Sequence, residues 1–306
     1  MAKGKIIVGM HGLANKPPKE EEANWWKLAM QEGLKKNCNL TVDFEFQVVY
    51  WADLLYKSPL HRDENFKFDA LYNNEPYIEA QDGALQTYEE GWFAKASAGV
   101  LGVGGAALDA LKGYMGFDGL ANTLLEKTLK DLAFYYEEDR QITDRQGRVR
   151  QARRVIQDEL RKILLPLKGQ RIMLIGHSMG SIVAYDVLRD LKKEDPAFAV
   201  AHFVTIGSPL GLPHVKLKVH EERNQEVRTP TIVTERWANY ADRRDPVAVD
   251  VHLADDYKPN GAGICVVDDL VHNDYPLPKE KPNHHKSYGY LRTPELSKHL
   301  QQFILG

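Results

Sequence analysis

The feature that most constrains the fold is a short apolar run that leads directly into a glycine-flanked turn and then into a helix. The run is Arg171–Ile175, the turn is Gly176-His177-Ser178-Met179-Gly180, and the amphipathic segment Ser181–Leu191 follows at once. So tight a turn strains the backbone of its middle residue and pushes the hydroxyl of that residue beyond the sheet edge. A Cβ at position 176 or 180 would collide with neighbouring backbone, and the helix N-terminus favours a developing anion. The pattern G-x-S-x-G in this setting predicts that Ser178 is a nucleophile.

Short apolar segments alternate with amphipathic segments along most of the chain. We predict strands over residues 5–9, 41–51, 171–175, 201–206, 231–240 and 263–267, and helices over 20–36, 149–167, 181–191 and a terminal segment that includes 301–305. This alternation predicts an α/β fold with an open, mostly parallel sheet that helices cover on both faces. Residues 57–142 interrupt it, being first acidic and aromatic and then rich in glycine and alanine. We therefore predict a core of residues 1–56 and 143–306 with a mostly helical insertion, a cap or lid, at 57–142. The alternative is that 57–142 packs to one side of the core as a structural or dimerisation element.

Composition excludes several classes of protein. The 306 residues carry 40 Lys+Arg and 43 Asp+Glu, a net charge of −3, which gives no general argument for nucleic-acid binding. The basic stretch 140–171 is interpreted as a solvated helix face, with an anion or partner site as the alternative.

No stretch reaches the roughly 20 apolar residues of a membrane helix, and the first apolar run is too short for a signal peptide. Two cysteines, Cys38 and Cys265, fit free thiols in a reducing compartment. We expect a cytoplasmic protein without an integral membrane segment; peripheral membrane contact stays open.

Three segments together resemble the α/β-hydrolase superfamily in its lipase and esterase branch. The first segment, Gly176–Gly180, looks like the nucleophile elbow; the second, Val8-Gly9-Met10-His11-Gly12, resembles the His-Gly oxyanion loop; and the third, Phe203–Pro209, resembles the strand and loop after the elbow helix. The resemblance covers residues 1–56 and about 150–295, and it leaves 57–142 unexplained. The two antiparallel strands that open longer family members have no counterpart in the sequence. The resemblance implies no metal and no organic cofactor.

The family's chain order, nucleophile then acid then histidine, directs the search for the other catalytic groups downstream of Ser178. Asp242 and Asp245 follow a predicted strand, and we favour Asp245 because Asp245-Pro246-Val247 resembles the family's acid loop; Asp268 and Asp269 are weaker candidates. For the base we favour His285 over His284, with His272 third, because a histidine just before a tyrosine-containing helix start resembles this branch. Adjacent histidines rarely converge on one metal ion, so a metal site at the pair is disfavoured.

The resemblance then implies a mechanism and a substrate class. His285 would take the Ser178 proton, Asp245 would orient His285, and the backbone N–H groups of Leu13 and Met179 would hold the oxyanion of a small-molecule or lipid ester. Acyl transfer or thioester hydrolysis by the same residues is one alternative, and a non-catalytic binding scaffold on the same fold is another. The segment Gly102–Ala107 matches a G-x-G-x-x-A nucleotide fingerprint, but the poor strand before it favours a close-packed helical hairpin.

Overall fold

Six parallel strands form the central sheet of the computed structural model, which describes residues 4–12, 14–60, 76–89, 130, 132–222, 226–276 and 282–306. The strands are β1 (Lys5–Met10), β2 (Phe46–Val49), β5 (Arg171–His177), β6 (Val200–Ile206), β7 (Val233–Ala241) and β8 (Val266–Leu270). Their order across the sheet is β2-β1-β5-β6-β7-β8, and every neighbouring pair is parallel. A separate antiparallel hairpin joins β3 (Gln141–Thr143) to β4 (Val149–Gln151).

Helices cover both faces of this sheet. They are α1 (Lys19–Cys38), α2 (Ala152–Leu164), α3 (Met179–Glu194), α4 (Pro213–Glu221), α5 (Ser287–Leu291) and α6 (Pro294–Leu305). Successive strand residues point to opposite faces, so Ile7, Met173 and Ile175 pack with α1 and α6, whereas Ile6 and Leu174 pack with α2 and α3. A parallel sheet buried on both faces in this strand order is an α/β-hydrolase-like fold, which confirms the predicted fold class.

Three predicted elements need correction. The second strand is only Phe46–Val49 rather than 41–51, since its ladder with β1 begins at Phe46 and ends at Val49. Val149 is 64% exposed and belongs to β4, so the helix predicted over 149–167 begins at Ala152. The last strand is Val266–Leu270 rather than 263–267, and Asp268 and Asp269 therefore lie within it. In each case a short segment of apolar or β-branched residues fitted more than one periodicity.

Most of the predicted insertion at 57–142 lies outside the described residues, including the fingerprint-like segment Gly102–Ala107. Of its described parts, residues 76–89 contain no helix, residues 132–136 are helical, and the range ends within β3. Leu132 and Tyr135 are buried with α2 and α3 in the main core. The end of the insertion is therefore anchored in the core fold.

The basic stretch 140–171 is largely paired with acids. Arg153 contacts Asp186 at 2.6 Å and also the carboxylate of Glu222, and Arg171 contacts Glu235 at 2.6 Å. The stretch is therefore a charged face whose cations are neutralised by acids, although the Arg153–Asp186 pair is largely buried rather than solvated, and it gives no support to an anion site.

Because all six strands are parallel, their carboxyl ends meet along one edge. β1 ends before His11, β5 before Ser178, β6 before Gly207 and β7 before Asp242. Loops that follow different strands are thereby brought together at this edge, which is where α/β folds bind their ligands.

Candidate active site

Ser178 occupies a strained turn between β5 and α3. Its backbone has φ 54° and ψ −131°, in a region that residues with a Cβ rarely adopt. The turn is held by its own hydrogen bonds: the Ser178 amide donates to Ile206 O at 3.1 Å, and its carbonyl accepts from the Ser181 amide at 2.9 Å and the Ser181 hydroxyl at 2.5 Å. Ser181 Oγ lies 2.6 Å from Ser208 Oγ. The strained conformation is thus held by β6 and by the first turn of α3.

Glycines at three positions allow close packing around the turn. A Cβ on Gly176 would lie 2.6 Å from Ser181 Cα, and one on Gly180 would lie 2.6 Å from His11 O. A Cβ on Gly12 would lie 2.8 Å from Ser178 Cβ. The loop after β1 and the turn after β5 are therefore in contact because these positions carry no side chain.

The structure brings Ser178, His285 and Asp245 into one chain of hydrogen bonds. Ser178 Oγ lies 3.0 Å from His285 Nε2, and His285 Nδ1 lies 2.8 Å from Asp245 Oδ2. The other carboxylate oxygen, Asp245 Oδ1, accepts from the Val247 amide at 2.8 Å. Asp245 is 1% exposed, whereas Ser178 and His285 are each 7% exposed. An acid, an imidazole and a hydroxyl in this order can move a proton from the hydroxyl to the imidazole.

The rival acids occupy other positions. Asp242 forms an ion pair with Arg244 at 2.7 Å and accepts a hydrogen bond of 2.6 Å from the Asn273 amide. Asp268 accepts from Asn239 Nδ2 at 2.9 Å, and Asp269 lies 3.4 Å from Arg236 Nη2. These carboxylates have partners that hold them in the acid loop or in β8.

The rival histidines likewise face elsewhere. His284 Nδ1 lies 2.8 Å from Asn273 O, so its ring is directed toward the residues that follow β8. His272 Nδ1 lies 3.4 Å from Arg244, and the His272 ring packs against Tyr88 at 5.0 Å.

His11 stabilises the loop after β1. Its Nδ1 donates to Gly12 O at 2.7 Å, its Nε2 accepts from the Trp51 amide at 3.2 Å, and the ring stacks on the Trp51 indole at 5.2 Å. Burial, reinforced by the Lys16 charge, lowers the pKa of His11 to about 3. The ring is therefore neutral and holds the loop in the tautomer that its two partners require.

Met179 and Leu13 are the two expected oxyanion donors. Met179 is the first residue of α3, where the backbone N–H has no carbonyl four residues earlier in the helix to bond. Leu13 lies outside the described residues.

Two residues that the sequence analysis did not assign complete the surroundings of Asp245. The hydroxyl of Tyr290 donates to Asp245 Oδ2 at 2.7 Å. Gly207 has φ 52°, and a Cβ there would lie 2.8 Å from Asp245 Oδ2. The only sequence signals for them were a tyrosine shortly after His285 and a glycine directly after a strand.

The described part of the chain offers neither a metal centre nor a membrane-spanning helix. No group of three His, Cys, Asp or Glu side chains there is arranged to hold a metal ion. No helix in that part is long and apolar enough to cross a membrane.

Comparison with known proteins adds little. The sequence matches no protein-family profile and no curated protein. Among solved structures, it is similar to a "Putative hydrolase" from Agrobacterium vitis S4, with 14% identity and a TM-score of 0.31. The alignment covers 49% of this chain and 68% of that chain. The functional argument therefore depends on the geometry of the site.

Proposed function

We propose that this protein is a serine hydrolase of the lipase and esterase type that cleaves carboxylic esters through an acyl-enzyme. The observation that carries the proposal is the hydrogen-bonded chain Ser178–His285–Asp245 at a strained turn, with links of 3.0 and 2.8 Å. A hydroxyl becomes a useful nucleophile when a positioned base accepts its proton and a buried carboxylate orients that base.

In the proposed mechanism, His285 Nε2 takes the proton of Ser178 as Oγ attacks the ester carbonyl. Asp245 keeps Nδ1 of His285 protonated and stabilises the imidazolium. The Met179 amide at the helix N-terminus, with that of Leu13 as the second expected donor, receives the oxyanion, and one such donor is worth roughly 3 kcal/mol. His285 then protonates the departing alcohol and activates a water that cleaves the acyl-enzyme. Every step uses groups of this chain.

We also propose that residues 57–142 border the substrate. Support comes from described residues at two points: Leu60 N–H donates to Lys16 O at 2.8 Å beside the loop after β1, and Arg243 Nε donates to the Tyr88 hydroxyl at 3.3 Å beside the acid loop. The range therefore contacts loops on both sides of Ser178.

Deleting 94–118 is expected to change chain-length preference more than activity on an acetate ester; equal loss on all esters would point to misfolding instead.

A p-nitrophenyl ester panel of rising chain length tests the catalytic proposal. Ser178→Ala is expected to lower kcat by about 10⁴–10⁶-fold, while Thr231→Ala, at an exposed threonine before β7, should leave it unchanged. A fluorophosphonate should label wild type at Ser178 and fail to label the Ala variant. Undiminished hydrolysis by Ser178→Ala would overturn the proposal.

A further inference from the structure

The residue before the nucleophile contacts the residue proposed as the base. His177 Nε2 lies 2.8 Å from the backbone oxygen of His285. The two imidazole rings are 4.7 Å apart between centroids and tilted by 36°. His177 is buried, so this contact is shielded from solvent.

The chemistry of the contact fixes where the His177 proton resides. A carbonyl oxygen can only accept, so His177 Nε2 must carry the hydrogen. Burial, together with the charges of His285, Lys16 and Lys286, lowers the pKa of His177 well below its ordinary value. The ring is therefore neutral, and its one N–H is directed to the His285 carbonyl.

Three successive carbonyls of residues 282–286, the loop before α5 that carries His285 and is called the base loop below, accept hydrogen bonds from side chains. Asn273 Nδ2 donates to His284 O at 2.8 Å and to Lys286 O at 2.9 Å. His177 donates to the carbonyl between them. Asn273 follows β8, whereas His177 is the last residue of β5. The link from His177 is thus the one among these three that ties the base loop to the nucleophile turn itself.

We propose that His177 is a positioning residue that holds the His285 imidazole at hydrogen-bonding distance from Ser178. The segment 177–178 and residue 285 are joined twice, once by the reacting pair and once by the His177 link. When His285 moves its proton to the leaving group, the second link persists and keeps the imidazole in place. The inference rests on the proposed function, because positioning has meaning only if His285 is the base.

Two amide variants of different reach test this role. The side chain of His177→Gln places an N–H donor at about the distance of the imidazole Nε2, whereas that of His177→Asn is one methylene shorter. Steady-state hydrolysis of p-nitrophenyl butyrate from pH 5 to 9 gives kcat and KM, and the rate of fluorophosphonate labelling reports the nucleophile directly. His220→Asn, at an exposed histidine of α4, is the matched control.

We expect His177→Asn to lose about tenfold in kcat and in labelling rate with KM unchanged, since one hydrogen bond is worth up to about that factor. His177→Gln should retain kcat within about threefold. Equal kcat and labelling rates for Gln and Asn, or wild-type rates for Asn, would overturn the inference. So would a parallel fall in thermal stability, kcat and affinity in both variants, which is the signature of a merely structural residue.

The tautomer of His177 in the unaltered protein provides a test that needs no variant. Nitrogen-15 NMR of imidazole-labelled protein should show a proton on Nε2 and none on Nδ1 from pH 5 to 8. A ring that titrates in that range, or that carries its proton on Nδ1, contradicts the inference. Failure of the proposed function looks different: wild type would neither hydrolyse esters nor be labelled at Ser178.

Discussion

The Tyr290 hydroxyl and the Asp245 carboxylate are joined by a hydrogen bond of 2.7 Å, on the same oxygen that faces His285 Nδ1. The hydroxyl also accepts from the Asp242 amide at 3.1 Å, so it bridges the two aspartates of the acid loop. Burial, with the nearby Asp245 charge, raises the pKa of Tyr290 well above its ordinary value. Tyr290 therefore remains a donor at every pH of interest, and it shares the negative charge of Asp245 with the imidazole.

Replacing Tyr290 by Phe should change the pH profile. Without this donor, Asp245 attracts the imidazolium more strongly, so the acidic limb of kcat/KM should move to higher pH. The Asp242 amide loses its acceptor, and the free energy of unfolding should fall by about 1–3 kcal/mol. Tyr288→Phe is the matched control, since the buried Tyr288 hydroxyl donates to Glu22 rather than to Asp245. If both variants move the acidic limb equally, Tyr290 has no special relationship to the base.

The strain at Ser178 should be measurable as stability. Its φ of 54° costs a residue with a Cβ on the order of 1–3 kcal/mol, and glycine escapes that cost while losing about 0.5–1 kcal/mol in chain entropy. Ser178→Gly should therefore be about 1 kcal/mol more stable than Ser178→Ala by urea denaturation, although both lack the hydroxyl. An Ala variant at least as stable as the Gly variant would show that the turn is relaxed.

The parts of the fold that sequence could predict are those encoded locally. The β5–Ser178–α3 unit has a continuous apolar strand, two glycines and an amphipathic helix in 21 residues, Arg171–Leu191, and the structure contains all three elements. Val149 was misplaced because a valine beside a turn satisfies both a helical and a strand periodicity. The turn at Gly147, where φ is 78°, places Val149 in the β3–β4 hairpin rather than in the helix.

Periodicity could not predict contacts between distant segments, and the expectation that Ser178, Asp245 and His285 meet came only from the family resemblance. The choice between His284 and His285 depends on Asn273, whose amide and carbonyl hold the loop so that the two rings face opposite ways. The same holds for three other features of the site: the place of Tyr290, the place of Gly207 and the contact of His177. Each arises because β5, β6 and the loop before α5 come close together in the fold. None of these approaches leaves a periodic trace in one sequence.

The approach of Gly180 to the loop after β1 gives a steric prediction. A Cβ there would overlap the carbonyl oxygens of Met10 and His11, which are backbone atoms that cannot rotate away. Gly180→Ala should lower the free energy of unfolding by about 1–3 kcal/mol, the usual cost of overpacking, and should reduce activity by displacing the loop. Gly261→Ala is the control, because nothing lies within 4 Å of a Cβ at that position. A Gly180→Ala variant with wild-type stability would contradict this packing.

A buried pair of histidines away from Ser178 should make the stability of the fold depend on pH in the acid range. His299 Nε2 lies 2.7 Å from His202 Nδ1, and His299 Nδ1 lies 3.0 Å from the Tyr240 hydroxyl. Burial, aided by the Arg236 charge, lowers the pKa of His299 to about 3 from an ordinary 6.5, and burial lowers the pKa of His202 in the same direction. The His299 ring is thus neutral in the fold until the pH approaches 3, whereas the unfolded chain takes up its proton below pH 6.5, and His202 contributes in the same direction. Stability is therefore retained above that pH and falls as pH decreases toward 3, by up to about 1.4 kcal/mol per pH unit for each proton. His299→Gln keeps a donor and an acceptor but cannot titrate, so the slope of unfolding free energy between pH 6 and 4 should fall by close to one proton. Urea denaturation at half-unit pH steps measures that slope, and an unchanged value would show that His299 is already protonated in the folded protein.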